Sequence, residues 1–137
     1  MGLIFDTSLL IAAERSLLDI DRFIKGKEEE LFGISVITVS ELLHGVYRAD
    51  TEERRLKREA YVENVIEVFP IYHFDTSAAR IYAHIWSNLA SKSIQISSHD
   101  LIIASTAIAL GFSVATFDKR DYMKIEGLNV ELLGSDL

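Results

Sequence analysis

The chain has no cysteine and a single proline, Pro70, in 137 residues. Without thiols it can build neither a disulfide framework nor a zinc–thiolate site, and a cysteine nucleophile is excluded. Basic residues are also in deficit, with Lys and Arg numbering 14 against 21 Asp and Glu, a net charge of -7. A broad basic face of the kind that holds nucleic acid is therefore not expected, and an anionic substrate has to be met by local cations or by a metal ion. The apolar runs fall far short of the ~20 residues of a membrane span. No basic segment followed by an apolar stretch and a small-residue cleavage site opens the chain, so a cytoplasmic location is expected. Apolar side chains, by contrast, make up 49% of the sequence. That is ample for one core, and residues 1–137 are read as a single domain with no internal repeat.

The chain opens on Leu3-Ile4-Phe5, an apolar run that stops at Asp6-Thr7-Ser8. Three consecutive apolar residues read as a strand buried on both faces, as in a parallel sheet. Leu9 to Ala13 follows as a helix that Thr7 or Ser8 could cap. The charged stretch Lys25 to Glu30 is solvated helix end and loop, and Leu31 to Ile37 is a second strand. Val39, Leu42, Leu43, Val46 and Tyr47 keep the spacing i, i+3, i+4, i+7, i+8, which predicts a helix over 39–48 with that face inward and Glu41 in its first turn. Residues 50–64 read as an exposed helix in which Arg54, Arg55, Lys57 and Arg58 either pair with nearby glutamates or form a basic group open to an anionic or protein partner. Val65 to Tyr72 is a third strand, short and near an edge because Pro70 cannot donate to a ladder. Asp75-Thr76-Ser77 caps a helix carrying Ala78, Ile81, Tyr82, Ile85, Trp86 and Leu89. After a polar loop over 91–98, Leu101 to Leu110 is a buried helix stopped by Gly111. Val114 to Phe117 is a fourth strand ending at Asp118, and Asn129 to Leu133 a last short one.

Alternating strands and helices predict an α/β sandwich with a mainly parallel sheet. Asp6 ends the first strand, Glu41 opens the helix after the second, and Asp118 ends the fourth, so these three should meet at the carboxyl edge, where such sheets bind ligands. Asp100 joins them only if the crossover over 91–99 brings its helix N-terminus to the same edge. Taken singly, each acid is as readily a cap. Thr38-Val39-Ser40-Glu41 and Ser97-Ser98-His99-Asp100 both have capping-box spacing. Taken together, carboxylates within ~4 Å repel by roughly 4 kcal/mol per pair at an effective dielectric of 20. A cluster of them calls for a divalent cation, and all-oxygen ligands select Mg²⁺ or Mn²⁺ over zinc.

Asp6-Thr7-Ser8, Ser40-Glu41-Leu42-Leu43-His44-Gly45-Val46, Asp100-Leu101-Ile102-Ile103-Ala104 and Thr116-Phe117-Asp118 resemble, in order and spacing, the acidic motifs of PIN-domain ribonucleases, especially the VapC toxins of toxin–antitoxin pairs. Each motif alone is weak; four in order, spanning almost the whole chain, are fairly specific. The resemblance departs at Ser97-Ser98, where many relatives carry a glycine before the third acid. It implies a three-layer α/β/α sandwich of PIN type, and Mg²⁺ or Mn²⁺ bound by Asp6, Glu41, Asp100 and Asp118. It further implies that Thr7 or Ser8 orients a ligand or water, and that the chain forms a homodimer inhibited by a cognate antitoxin. The chemistry so implied is cation-assisted hydrolysis of RNA phosphodiester bonds.

Around that centre, Asp121 is either a support to the site or a surface acid, and Lys119 and Arg120 either meet phosphates or are solvated charges. Other readings fit less well. Glu41 and His44 have Glu-x-x-His spacing, but a di-iron bundle needs a second copy on long helices. His99 and Asp100 are adjacent on a helix and point apart. A response-regulator receiver wants an acidic pair after the first strand, and a haloacid-dehalogenase-type phosphatase wants Asp-x-Asp where Thr7-Ser8 stands. The non-enzyme alternative is a catalytically silent PIN-like domain that binds RNA or a protein partner.

Overall fold

The structure, a computed structural model, describes residues 2–133. Its elements run β1 (Gly2–Phe5), α1 (Thr7–Glu14), α2 (Ile20–Ile24), β2 (Leu31–Ser35), α3 (Val36–Tyr47) and α4 (Glu52–Val68). They continue with β3 (Ile71–Tyr72), α5 (Thr76–Ser91), α6 (Ser98–Leu110), β4 (Ser113–Thr116), a 3-10 turn (Tyr122–Lys124) and β5 (Val130–Leu132). The five strands form one sheet in the order β3-β2-β1-β4-β5, and every pairing is parallel. β1 is central, which is why its residues are apolar on both sides. Leu3 and Phe5 join Leu9, Leu10, Leu42, Val62 and Val65 on one face, while Ile4 joins Ile85, Leu101, Ile103 and Val114 on the other. Helices α1, α3 and α4 thus cover one face and α5 and α6 the other, giving the three expected layers. Each large aliphatic or aromatic side chain buried in these layers contributes roughly 1.5–3 kcal/mol.

Several boundaries differ from the sequence expectation, each for a local reason. Asp6 itself caps α1, its Oδ1 accepting the Leu9 N–H at 3.0 Å, a role assigned above to Thr7 or Ser8. β2 ends at Ser35 rather than Ile37 because Ser35 Oγ accepts the Ile37 N–H at 3.2 Å and starts α3 early. Glu41 consequently lies in the second turn of α3, and the Thr38–Glu41 capping box does not form. The buried face of α3 is Thr38, Leu42 and Val46; Tyr47, expected inward, is 81% exposed. α4 continues to Val68 because Val62 and Val65, one turn apart, bury on the same side. That leaves the third strand only Ile71–Tyr72. Its edge position is as expected, and Pro70 contributes its carbonyl to the Ile34 N–H at 3.0 Å. The short helix α2 falls in a segment, residues 14–24, to which the sequence assigned no element, just before the charged stretch Lys25 to Glu30. Asp75 caps α5, accepting from the Ala78 N–H at 2.9 Å. Gly111 ends α6 in the left-handed region (φ 71°), a conformation that glycine adopts without a Cβ clash.

Candidate active site

In a parallel sheet the crevice for ligands lies beyond the strand carboxyl ends where the strand order reverses. Here that point is between β1, with β2 on one side of it, and β4. A cleft of about 690 Å³ opens there, and Asp6, Glu41, Asp100 and Asp118 all line it. The condition set for Asp100 is met: the 92–97 crossover delivers the N-terminus of α6 to the same edge. Ser97 caps that helix by accepting the Asp100 N–H at 3.2 Å. At Ser97 φ is -60°, so the missing glycine needs no special backbone there.

Asp6 is the most enclosed of the four, 4% exposed. Its backbone N–H donates to the Ala115 carbonyl at 3.0 Å, tying β1 to β4. Oδ1 accepts from the Leu9 N–H at 3.0 Å and the Ser8 hydroxyl at 2.8 Å, and Oδ2 accepts from the Thr116 hydroxyl at 2.6 Å. These bonds favour the charged form, yet burial outweighs them and pushes the carboxyl up to about 6, with the charge of Asp100 adding to the effect. Asp100 is also raised, first by burial and further by Asp121 and Glu41. The Tyr122 hydroxyl donates to Asp100 Oδ1 at 3.2 Å. Tyr122 is 2% exposed, and burial beside Asp6 and Asp100 drives its phenol well above the ordinary range, so it remains a neutral donor.

Glu41 reaches the cleft from α3. The Thr7 hydroxyl donates to its Oε1 at 2.7 Å, with Thr38 Oγ1 3.1 Å from Thr7, and His99 Nδ1 stands 3.3 Å from Oε2. Asp118 lies two residues beyond β4 rather than at its end. Arg120 grips it with Nε 3.0 Å from each carboxylate oxygen and Nη2 2.6 Å from Oδ2, while the Arg120 backbone N–H also donates to Oδ1. The guanidinium holds this carboxyl down at about 2. Arg120 itself is exposed and lines the cleft; Lys119 does not line it. Asp121 lines the cleft and pairs with Lys124 at 3.0 Å. The charged helix α4 behaves as expected in part: Arg54 pairs with Asp50 and Arg55 with Glu52 and Glu59, but Arg58 crosses to Glu14 on α1.

The donor set suits a hard divalent cation in chemistry and in sign. It consists of oxygens only, and two of its acids are raised partly by other acids, a repulsion that a cation would relieve. The carboxylates ring the cleft instead of closing on one point. Among the described residues no three His, Asp or Glu side chains are gathered as a ready-made ligand cage.

Sequence reasoning missed Tyr122, Thr38 and the bonding role of Thr116. A hydroxyl residue in the otherwise apolar strand around Val114 and Ala115 was a readable signal for Thr116; nothing in the sequence marked Tyr122. His99 was set aside because it neighbours Asp100 on one helix, but its partner is Glu41 on another.

A parallel α/β sheet whose switch point opens on carboxylates and hydroxyls fits hydrolysis of phosphate esters with the aid of a divalent cation. The chain belongs to the PIN-domain family, whose model matches residues 3–127. It is homologous to VapC ribonucleases: it is 38% identical to Ribonuclease VapC1 of Rickettsia felis, covering 98% of both chains. It is also 34% identical to the tRNA(fMet)-specific endonuclease VapC of Salmonella typhimurium over 72% of each chain. Among solved structures, the DNA-bound VapBC of Salmonella typhimurium superposes with a TM-score of 0.84 at 28% identity, covering 96% of this chain and 97% of that one.

Proposed function

We propose that the cleft is the catalytic centre of the protein, with Asp6, Glu41, Asp100 and Asp118 as the carboxylates that hold Mg²⁺ or Mn²⁺. The protein is a VapC-type ribonuclease, a hydrolase of RNA phosphodiester bonds and the toxin of a toxin–antitoxin pair. The observation that carries the site assignment is the meeting of four acids, scattered from residue 6 to residue 118, in one cleft at the switch point. A bound cation supplies charge stabilisation of the phosphate oxygens and an acidified water.

The chain's own residues provide the frame for that chemistry. Asp6 is locked by Leu9, Ser8 and Thr116, and Glu41 by Thr7, so their oxygens are set before substrate arrives. Thr7 and Ser8 thereby act on the carboxylates, and Asp121 with Lys124 forms part of the cleft wall. Arg120 and Lys124 are the cations placed to meet the RNA backbone, with Lys119 further out. Relatives solved as VapBC complexes support an antitoxin as protein partner, and the family resemblance supports a homodimer. Among the described residues no helix is long and apolar enough to cross a membrane, and an RNA substrate is consistent with the expected cytoplasmic location.

The test is cleavage of total RNA, with initiator tRNA as one defined substrate, by the purified chain. Activity lost with chelator, restored by Mg²⁺ or Mn²⁺, and absent in folded Asp6→Asn and Asp100→Asn supports the reading. A folded, active double variant overturns the site assignment, whereas a folded unmodified chain that cleaves no RNA with Mg²⁺ or Mn²⁺ present would be a silent RNA- or protein-binding domain.

A further inference from the structure

Three of the four acids are each held by a neutral hydroxyl from a different element: Asp6 by Thr116, Glu41 by Thr7 and Asp100 by Tyr122. A neutral donor orients a carboxylate without cancelling its charge, whereas a guanidinium does both, as Arg120 does at Asp118. Tyr122 is the unexpected member of this set. Its ring packs in the core with Ile4, Leu101, Ile103 and Ile125, a position that phenylalanine would fill equally well. Tyr122 also lines the cleft, where its hydroxyl donates to Asp100 Oδ1 and lies beside Asp6. A buried phenol needs an acceptor, and here the acceptor is a candidate cation ligand.

We infer that Tyr122 is a positioning residue for the cation site: its hydroxyl holds Oδ1 of Asp100, fixes the carboxylate plane and leaves Oδ2 free to serve a cation that Asp100 would help to hold. This rests on the reading of Asp100 as a ligand. Partners of this kind, one bond removed from the ion, commonly change metal affinity by about 10–100-fold when removed. The backbone around Tyr122 supports a fixed placement. The Ile125 N–H donates to the Tyr122 carbonyl at 3.1 Å and the Lys124 N–H to that of Asp121 at 3.1 Å, so a closed 3-10 turn anchors the ring.

The test is a titration of the full chain with Mn²⁺, following the free-ion signal by electron paramagnetic resonance without RNA. Tyr122→Phe keeps the ring and removes the hydroxyl. Mn²⁺ binding is expected to weaken by about 10-fold while the circular dichroism is unchanged and the urea midpoint falls by less than in Tyr122→Leu. Cleavage should then require correspondingly more Mn²⁺. Tyr122→Leu, which loses ring and hydroxyl, should weaken binding at least as much and also lower stability. Unchanged Mn²⁺ affinity in Tyr122→Phe, or a loss confined to Tyr122→Leu, overturns the inference and leaves Tyr122 a packing residue. Asp100→Asn in the same titration separates the two levels. If it binds Mn²⁺ undiminished, Asp100 is no ligand and the site assignment itself fails. If it loses binding while Tyr122→Phe does not, only the role of Tyr122 fails.

Discussion

Asp6→Asn should make the cation-free protein more stable at neutral and alkaline pH while removing its activity. Burial raises the Asp6 carboxyl from 3.8 to about 6, so the folded chain binds that proton more tightly than the unfolded one. The ionised form is therefore a burden that is absent below about pH 4, grows between about pH 4 and 6 and is complete above. At about 1.4 kcal/mol per pH unit the difference amounts to ~3 kcal/mol. Asparagine preserves the bonding: its Oδ1 can accept from Leu9 N–H and Ser8, and its amide can donate to Thr116, whose own proton then turns to the Asp118 carbonyl 2.9 Å away. The loss of a charged cap at the start of α1 gives back roughly 0.3–1 kcal/mol. The net expectation is a gain of about 2 kcal/mol at pH 8 in chelator, shrinking to nothing or a slight loss at pH 4. Urea unfolding at pH 4, 6 and 8 measures it, and the other titrating groups cancel because both chains carry them. Saturating Mg²⁺ should stabilise the unmodified chain by mass action and the variant far less. A gain independent of pH, or a variant less stable at pH 8, would refute the claim that burial of this charge dominates the site's energetics.

Thr116→Val removes the hydroxyl that bonds Asp6 while preserving shape; leaving that buried oxygen without its donor should cost about 1–3 kcal/mol at pH 8, read by urea unfolding, and shift the acid limb of cleavage upward in pH. Arg120→Ala should raise the Asp118 carboxyl from about 2 toward its ordinary range, seen by NMR titration. The same variant should lower the salt dependence of RNA binding by about one phosphate contact; an unchanged salt slope would place Arg120 outside the RNA path. In β2, a Cβ on Gly33 would run into the Tyr72 ring and stand 2.9 Å from the Pro70 carbonyl oxygen. Gly33→Ala should therefore push the edge strand β3 away and destabilise the fold by about 1–3 kcal/mol, with earlier hydrogen exchange at the Ile34 N–H that Pro70 accepts.

The order of elements was legible in the residues because burial period and turn chemistry are local properties. A two-sided apolar strand at Leu3 to Phe5, a buried helix closed by Gly111 and a proline-marked edge all read directly from neighbours in sequence. So were the four acids, since Asp6, Asp100 and Asp118 stand near the ends of strands or the start of a helix and Glu41 lies only one turn inside α3. Boundaries were less legible because competing caps lie within a few residues of one another: Ser35, not Thr38, starts α3, and the difference carries Glu41 into the second turn. The third strand is shorter than the sequence suggests because Val65 and its neighbours have an apolar pattern that either element satisfies.

By itself, then, the sequence determined a parallel α/β sheet and marked Asp6, Glu41 and Asp118 for its carboxyl edge. Only the folded chain decided that Asp100 crosses to that edge, that Asp6 is buried deeply enough to resist ionisation, and that Arg120 turns back on Asp118. It alone revealed the hydroxyls of Thr7, Thr116 and Tyr122 as the groups that hold three of the acids. The reason is distance along the chain. These partners are separated from their acids by 34, 110 and 22 residues, and pairings at such separations depend on strand order and helix docking, which no local pattern encodes.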